Sequence, residues 1–430
     1  MEVCKELKKL AKEVAKYNTN LYIVGGYVRD NILGLDNQDI DITSNLDHDK
    51  LLEICSKLKI KTQKINKQLG TIQLIVNDKK FEYTRFRRES YSKNGVHTPN
   101  EVEFIDDIEQ DTLRRDFTIN AIYYDITKDQ LVDVTNGMAD IEKRIIRTTN
   151  LPSKTLKDDG VRILRAIRFA STLNFKIEGK TFKALKTFTP YLNMISKERI
   201  LKELKLITSA DLKHNRPNTH FMNMCNKLSL PKYIFNSSLS RMHKFNHNDI
   251  TAFYSLPTQA RLIGFYMLVL KKYFKGYITD NQLAYSINML LGINGIKESN
   301  EHILTTERLY RIYQNLEFKI DDINAAVNYL TLSTIERNII DCIISKGTKV
   351  RLSDKITFIK NKNLPLCVQQ LDICTQDLLE LNIERKYISK IMSTLFNQVL
   401  NIYIPNEKDA LKKLALELHE TFTKITKEIS

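Results

Sequence analysis

The pattern of apolar and polar positions changes character about a third of the way along the chain. Before that point the apolar runs are short. Leu21–Val24 is a compact apolar segment stopped by Gly25-Gly26, and Asp39–Thr43, Thr71–Val76 and Lys80–Phe86 alternate with the period of two expected of half-buried strands. Asn77-Asp78, between the last two, predicts a hairpin turn. Val102–Phe104 and Ala121–Asp125 predict further strands, and Met1–Lys16 reads as an amphipathic helix. Beyond about residue 150 the alternation fades. Asp158–Asn174 and Ser196–Ile207 carry helical periodicity, and helix follows helix to Ser430, with breaks near Pro217, Pro231, Pro257, Gly292 to Gly295, Gly347, Pro365 and Pro405. The fold class this predicts is α+β: a small mixed-sheet head followed by an elongated all-helical neck, body and tail. We place the boundaries at 1–148, 149–210, 211–345 and 346–430.

Composition adds one feature to this picture. With 42% apolar and 27% charged residues, 430 residues can bury a substantial core. The formal net charge of +15 is the exception, since it concentrates polyanions and favours nucleic acid as a partner. A lysine-rich solvated surface would give the same number. The six cysteines (Cys4, Cys55, Cys225, Cys342, Cys367, Cys374) are scattered without a C-x-x-C pair, so neither a zinc site nor a disulfide framework is expected, and a reducing, cytoplasmic compartment is. No leader peptide and no apolar run of membrane-spanning length is read in the sequence, so no membrane partner is expected.

Three clusters carry candidate chemistry. The first is Val24-Gly25-Gly26-Tyr27-Val28-Arg29-Asp30, followed by Asp39-Ile40-Asp41. A glycine pair after a strand admits a phosphate to the backbone, and the helix that follows adds its N-terminal dipole. Arg29 on its first turn can add a charge-assisted contact to a triphosphate. Asp39 and Asp41, two apart on a strand, project from one face and repel unless a cation sits between them. Magnesium suits that position. Alone, such a pair is ordinary surface; its place in a strand–turn–helix–turn–strand unit gives it meaning.

The second cluster is Arg114-Arg115-Asp116-Phe117-Thr118-Ile119-Asn120, which out of context is a helix-cap ion pair. The third is Asp158-Asp159-Gly160-Val161-Arg162, continuing to Arg165 and Arg168. The arginines recur every three residues along one side of a helix, with the acidic pair at its start. Such a face can lie against solvent or RNA phosphates. Alternatively, Asp159 accepts and Arg162 donates, presenting a base-like edge to an incoming nucleotide.

Together these stretches resemble the signature of the class II tRNA nucleotidyltransferase and bacterial poly(A) polymerase family, within the polymerase-beta superfamily. The resemblance implies that Asp39 and Asp41 bind catalytic Mg2+, and that Gly26 and Arg29 contact the nucleotide. It implies further that Arg115 and Asp116 contact its ribose, and that Asp159 and Arg162, helped by Arg165 and Arg168, select C or A without a nucleic-acid template. The family's E-D-x-x-R motif has Asp158 in place of its Glu. Glu82 is the position for a third carboxylate, or else a partner of Arg85. Arg114 and Asn120 fit a role in local geometry, and Ser196 with Arg199 and Glu203 resembles a structural motif at the head–neck junction. Arg85–Pro99 reads as a mobile loop of the kind the family links to the switch from C to A addition.

The resemblance returns in the tail, at Leu364-Pro365, Asp377–Leu381, Ile388–Leu400 and Pro405–Lys408, where the family's usual glycine is replaced near Cys374-Thr375. In such relatives the tail grips the acceptor end of tRNA, and Lys355, Lys360, Lys362, Lys386 and Lys390 supply charge there. Expected partners are therefore tRNA, ATP and CTP, with oligomeric state undefined. The leading expectation is CCA addition to tRNA 3′ ends. A poly(A) polymerase, a CC-only or A-only enzyme, and a non-catalytic RNA-binding protein on the same scaffold are the alternatives.

Overall fold

A computed structural model describes residues 1, 3–90, 101–210, 220–235, 239, 242–293, 295–319 and 322–429. They form two compact units, 1–246 with 289–298, and 247–288 with 299–430.

In the first unit, α1 (Lys5–Ala15) precedes β1 (Tyr22–Val24), α2 (Gly26–Ile32), β2 (Ile40–Ser44) and α3 (His48–Lys57). Strands β3 (Lys61–Asn66), β4 (Thr71–Val76), β5 (Lys79–Arg85), β6 (Arg87–Ser90) and β7 (Glu101–Phe104) follow. Next come α4 (Ile108–Leu113), β8 (Ile122–Asp125), β9 (Gln130–Asp133), α5 (Gly137–Glu142) and β10 (Ile145–Ile146). The helical part holds α6 (Pro152–Asp158), α7 (Val161–Leu173), the short β11 (Lys176–Ile177), α8 (Gly179–Phe188) and α9 (Lys197–Thr208).

Seven strands make one mixed sheet in the order β3-β4-β5-β2-β1-β8-β9. Among the described residues of this sheet only β2 and β5 run parallel, with Asp41 opposite Glu82; on its other side β2 is antiparallel to β1, with Asp41 opposite Val24. The alternation that marked β4 and β5 is a burial pattern: Ile72, Leu74, Val76, Phe81 and Tyr83 point into the core. Asn77 and Asp78 both take positive φ, the left-handed pair that a tight two-residue hairpin needs. The α+β architecture is thus as expected.

One strand had no expectation, and two local expectations are corrected. Lys61–Asn66 is a strand with no apolar alternation, because β3 is a solvent-exposed edge kept polar by Lys61 and Lys64. Residues 85–90 are not a loop: they end β5 and form β6, which pairs with β7. The rest of that expected loop, 91–99, lies outside the described residues. The helix expected over 158–174 is two helices. Asp158 ends α6, Asp159 is extended, Gly160 is the N-cap of α7 and α7 begins at Val161; Asp159, just before the cap, accepts from the Val161 N–H at 3.1 Å.

In the second unit the described residues are helical, including Thr258–Tyr273, Asn300–Phe318 and Lys346–Asn361. Its C-terminal helices, Arg385–Leu400 and Lys408–Ile429, close over a core that includes Leu378, Ile391, Leu395, Leu411 and Ala415. Where the family's glycine is replaced, Asp377 closes the turn by accepting from the Cys374 N–H at 2.9 Å and pairing with Lys408 at 2.7 Å. Among the described residues no helix is long and apolar enough to cross a membrane.

Candidate active site

The first glycine sets the geometry. Gly25 follows β1 with φ 86° and ψ −141°, a conformation that a side chain would strain, and α2 begins at the next residue. A Cβ on Gly25 would stand 3.3 Å from the Asp41 Oδ2 atom, so its absence keeps the backbone and the carboxylate close. Asp41 lies on β2 and Asp39 just before it, held by its own N–H donating to the Asn37 Oδ1 atom at 3.0 Å.

A cavity of about 710 Å³ opens here, and every residue picked from the sequence as catalytic or nucleotide-binding lines it: Gly26, Arg29, Asp39, Asp41, Arg115, Asp116, Asp159, Arg162, Arg165 and Arg168. Glu82 does not line it, although its register beside Asp41 lets its charge reach that carboxylate. Nor is Glu82 the partner of Arg85, which bonds Asp47 at 3.0 Å.

The two walls differ electrostatically. On the acidic side, burial, then the charge of Asp39, pushes the Asp41 carboxyl up to about 6, and Glu82 adds to this while Arg115 opposes it. On the other side carboxylates and guanidiniums alternate. Arg29 is buried, with Nε donating to Asp30 Oδ1 at 2.8 Å and Nη1 to Asn120 Oδ1 at 2.5 Å. Asn120 donates in turn to Asp116 Oδ1 at 3.2 Å, and Arg165 Nε to Asp116 Oδ2 at 2.8 Å. Arg168 forms an ion pair with Glu203 at 2.9 Å, close but poorly aligned for a hydrogen bond. Burial opposes ionisation of Asp116, yet Arg165 and Arg162 hold its carboxyl below the usual range.

Asp159 and Arg162 are both present but not paired with each other. Arg199 grips Asp159 in a fork, Nη1 to Oδ1 at 3.1 Å and Nη2 to Oδ2 at 2.8 Å. Arg162 donates to the carbonyls of Thr155 at 3.2 Å and Arg114 at 2.7 Å. A guanidinium has five N–H donors, so Arg162 keeps donor capacity toward a ligand. Sequence reasoning gave Arg199 and Glu203 a structural part only, yet both line the cavity. Their spacing of four on α9, which puts them on one helical face, was the available signal. Asp111, fully buried behind Arg114 and Arg115, went unnoticed.

Among the described residues no group of three or more His, Cys, Asp or Glu side chains is arranged to hold a metal. Asp39 and Asp41 nevertheless fit a divalent cation in part. Asp41 is desolvated beside like charge, and neither carboxylate has an ion pair among the described residues. Two protein oxygens leave the remaining positions to phosphate and water, which is how magnesium is commonly held.

The head sheet thus carries the glycine turn and the carboxylate pair, and an arginine-lined helical neck joins it at the same cavity. Residues 21–147 match the family described as Poly A polymerase head domain, and 174–214 match "Probable RNA and SrmB- binding site of polymerase A". Through this head and neck the chain is similar to class II tRNA nucleotidyltransferases and bacterial poly(A) polymerases. A CCA-adding enzyme of Staphylococcus epidermidis is 36% identical over 215 residues, 50% of this chain and 52% of that protein. The chain thus matches about half the length of such relatives.

Similarity of fold extends further. A Thermotoga maritima CCA-adding enzyme complexed with tRNA superposes with a TM-score of 0.66 at 19% identity, over 96% of both chains. A Bacillus stearothermophilus CCA-adding enzyme in complex with CTP does so with a TM-score of 0.58 at 18% identity, over 98% of both.

Proposed function

We propose that this protein adds CCA to the 3′ end of tRNA from CTP and ATP, without a nucleic-acid template. The observation that carries the reading is the convergence on one cavity of a carboxylate couple with no ion pair among the described residues and a wall rich in arginines. Relatives named as CCA-adding enzymes, and neighbours solved with tRNA and with CTP, support it. In this reading Asp39 and Asp41 hold Mg2+. Held there, such an ion would supply Lewis-acid chemistry for the attacking hydroxyl and charge compensation for the leaving pyrophosphate.

The chain's own groups do the rest. The Gly25-Gly26 backbone lets phosphates approach the start of α2. Arg29, tied to Asp30 and Asn120, stiffens the floor rather than reaching outward. Arg115 and Asp116 orient the ribose. Asp159 and Arg162 offer acceptor and donor groups to the base, with Arg165 and Arg168 beside them. The free cysteines suit a reducing, cytoplasmic compartment.

The decisive experiment offers tRNA lacking its last three nucleotides together with CTP, ATP or both, and sequences the products. CCA ends are expected. Homopolymeric A tails would indicate a poly(A) polymerase, and CC or A alone a partial enzyme. Binding with no addition would leave only an RNA-binding scaffold.

A further inference from the structure

The hub of the arginine wall is a residue outside the cavity lining. Asp111 on α4 is fully buried. Its Oδ1 atom accepts from Arg114 Nε at 2.8 Å and from the Arg87 backbone N–H at 3.2 Å. Its Oδ2 atom accepts from the Tyr123 hydroxyl at 2.8 Å and from Arg115 Nη2 at 3.0 Å. The Tyr123 oxygen accepts in turn from Arg115 Nε at 2.9 Å, and the guanidinium carbon lies 5.0 Å from the centre of the Tyr123 ring. Arg115 is thus clamped on two nitrogens by one buried carboxylate and one buried phenol.

The clamp matters because of what Arg115 would otherwise meet. Arg115 lines the same cavity as Asp39 and Asp41 and exerts the strongest pull of any cation on Asp41. Deprived of Asp111, the largely covered Arg115 guanidinium needs another anion, because a desolvated charge without a partner is costly. The carboxylate couple lines the same cavity and has no ion pair among the described residues. An Arg115 swung onto that couple would occupy the place of a cation.

We propose that Asp111, assisted by Tyr123, is a positioning residue that holds Arg115 away from Asp39 and Asp41 and so keeps that couple open to a divalent cation. The inference rests on the metal-site reading above. It differs from a purely structural role, in which Asp111 would only fasten α4 to β6 and β8.

The test is direct Mn2+ binding to the full chain, without nucleotide or RNA, followed by electron paramagnetic resonance of the free ion. Asp111→Asn should weaken binding by about tenfold, the effect usual for residues that support a metal site from behind. Tyr123→Phe, which keeps the packing and removes one hydroxyl, should weaken it by roughly threefold, as for loss of one hydrogen bond. The double variant Asp111→Asn/Arg115→Ala should return to the wild-type affinity. Unchanged affinity in Tyr123→Phe and in folded Asp111→Asn, or persistent weakness in the double variant, overturns the proposal and leaves the site reading standing. A wild-type chain that binds no Mn2+ overturns that reading, and this inference with it.

Discussion

The two walls of the cavity are built from the same side-chain types and have opposite electrostatic fates. On the α4, α7 and α9 side, Asp111, Asp116, Asp159 and Glu203 each face an arginine, and Arg29 joins the lattice through Asp30 and Asn120. On the β2 side, Asp39 and Asp41 face each other and Glu82, and Asp41 is driven up to about 6 by burial and then by its neighbour. One wall has its carboxylates paired with arginines within the fold. The other leaves its carboxylates without an ion pair among the described residues, as the proposed cation site requires. Carboxylates therefore do not mark function here by their presence; the balance of charge around them does.

The sharpest way to break this contrast is Asp41→Ala. If the acidic wall supplies metal chemistry worth several kcal/mol in the transition state, nucleotide addition should fall by roughly three orders of magnitude. Binding of tRNA, measured by filter retention, should stay near wild type. Thermal stability of chelated protein should rise or hold, because the change removes a carboxylate that burial disfavours. Retained turnover would sink the metal assignment.

The other wall should behave in the opposite sense. Burial works against ionisation of Asp111, but Arg114 and Arg115 more than compensate and hold it at about 2. A carboxyl depressed in the folded state stabilises the protein above its unfolded value near 4, and that stability is lost as pH falls through the window from 4 to 2. A depression of that size corresponds to about 2 kcal/mol at neutral pH. Asp111→Asn should lower stability to denaturant by an amount of that order at pH 7, with the gap to wild type narrowing below pH 4. A gap that did not depend on pH would mean that packing, not charge, carries the residue.

These outcomes also bear on what the sequence made legible. Asp39, Asp41, Arg115, Asp159 and Arg162 were visible because each belongs to a local run whose spacing is itself informative, and β4 and β5 were visible because one face of each is buried. The fork between Arg199 and Asp159 was not, since the two residues are 40 positions apart and meet only when α9 packs on α7. Asp111 was hidden for a related reason: its partners Arg114 and Arg115 are local, but Tyr123 and the Arg87 N–H reach it through the tertiary fold. The polar edge strand β3 had no alternation to read.

A smaller effect tests the base-facing end of the arginine wall. Arg162 donates to the carbonyls of Thr155 and Arg114, so its removal costs stability as well as recognition. Arg162→Ala should degrade discrimination among the four NTPs by about tenfold, the worth of one or two charge-assisted hydrogen bonds. Competition assays with paired nucleotides read this directly. Intact selectivity would show that the base is chosen elsewhere.

The smallest expected effect decides how many members the acidic wall has. Glu82 stands beside Asp41 in register, yet it is exposed and lies outside the cavity lining. A solvent-exposed charge acting only through its field is worth little. Glu82→Gln should therefore change nucleotide addition by less than about fivefold, in steady-state assays at saturating Mg2+. A loss as deep as that of Asp41→Ala would make Glu82 a ligand, brought inward when the metal binds. The acidic wall would then be completed by motion, whereas the arginine wall is already complete at rest.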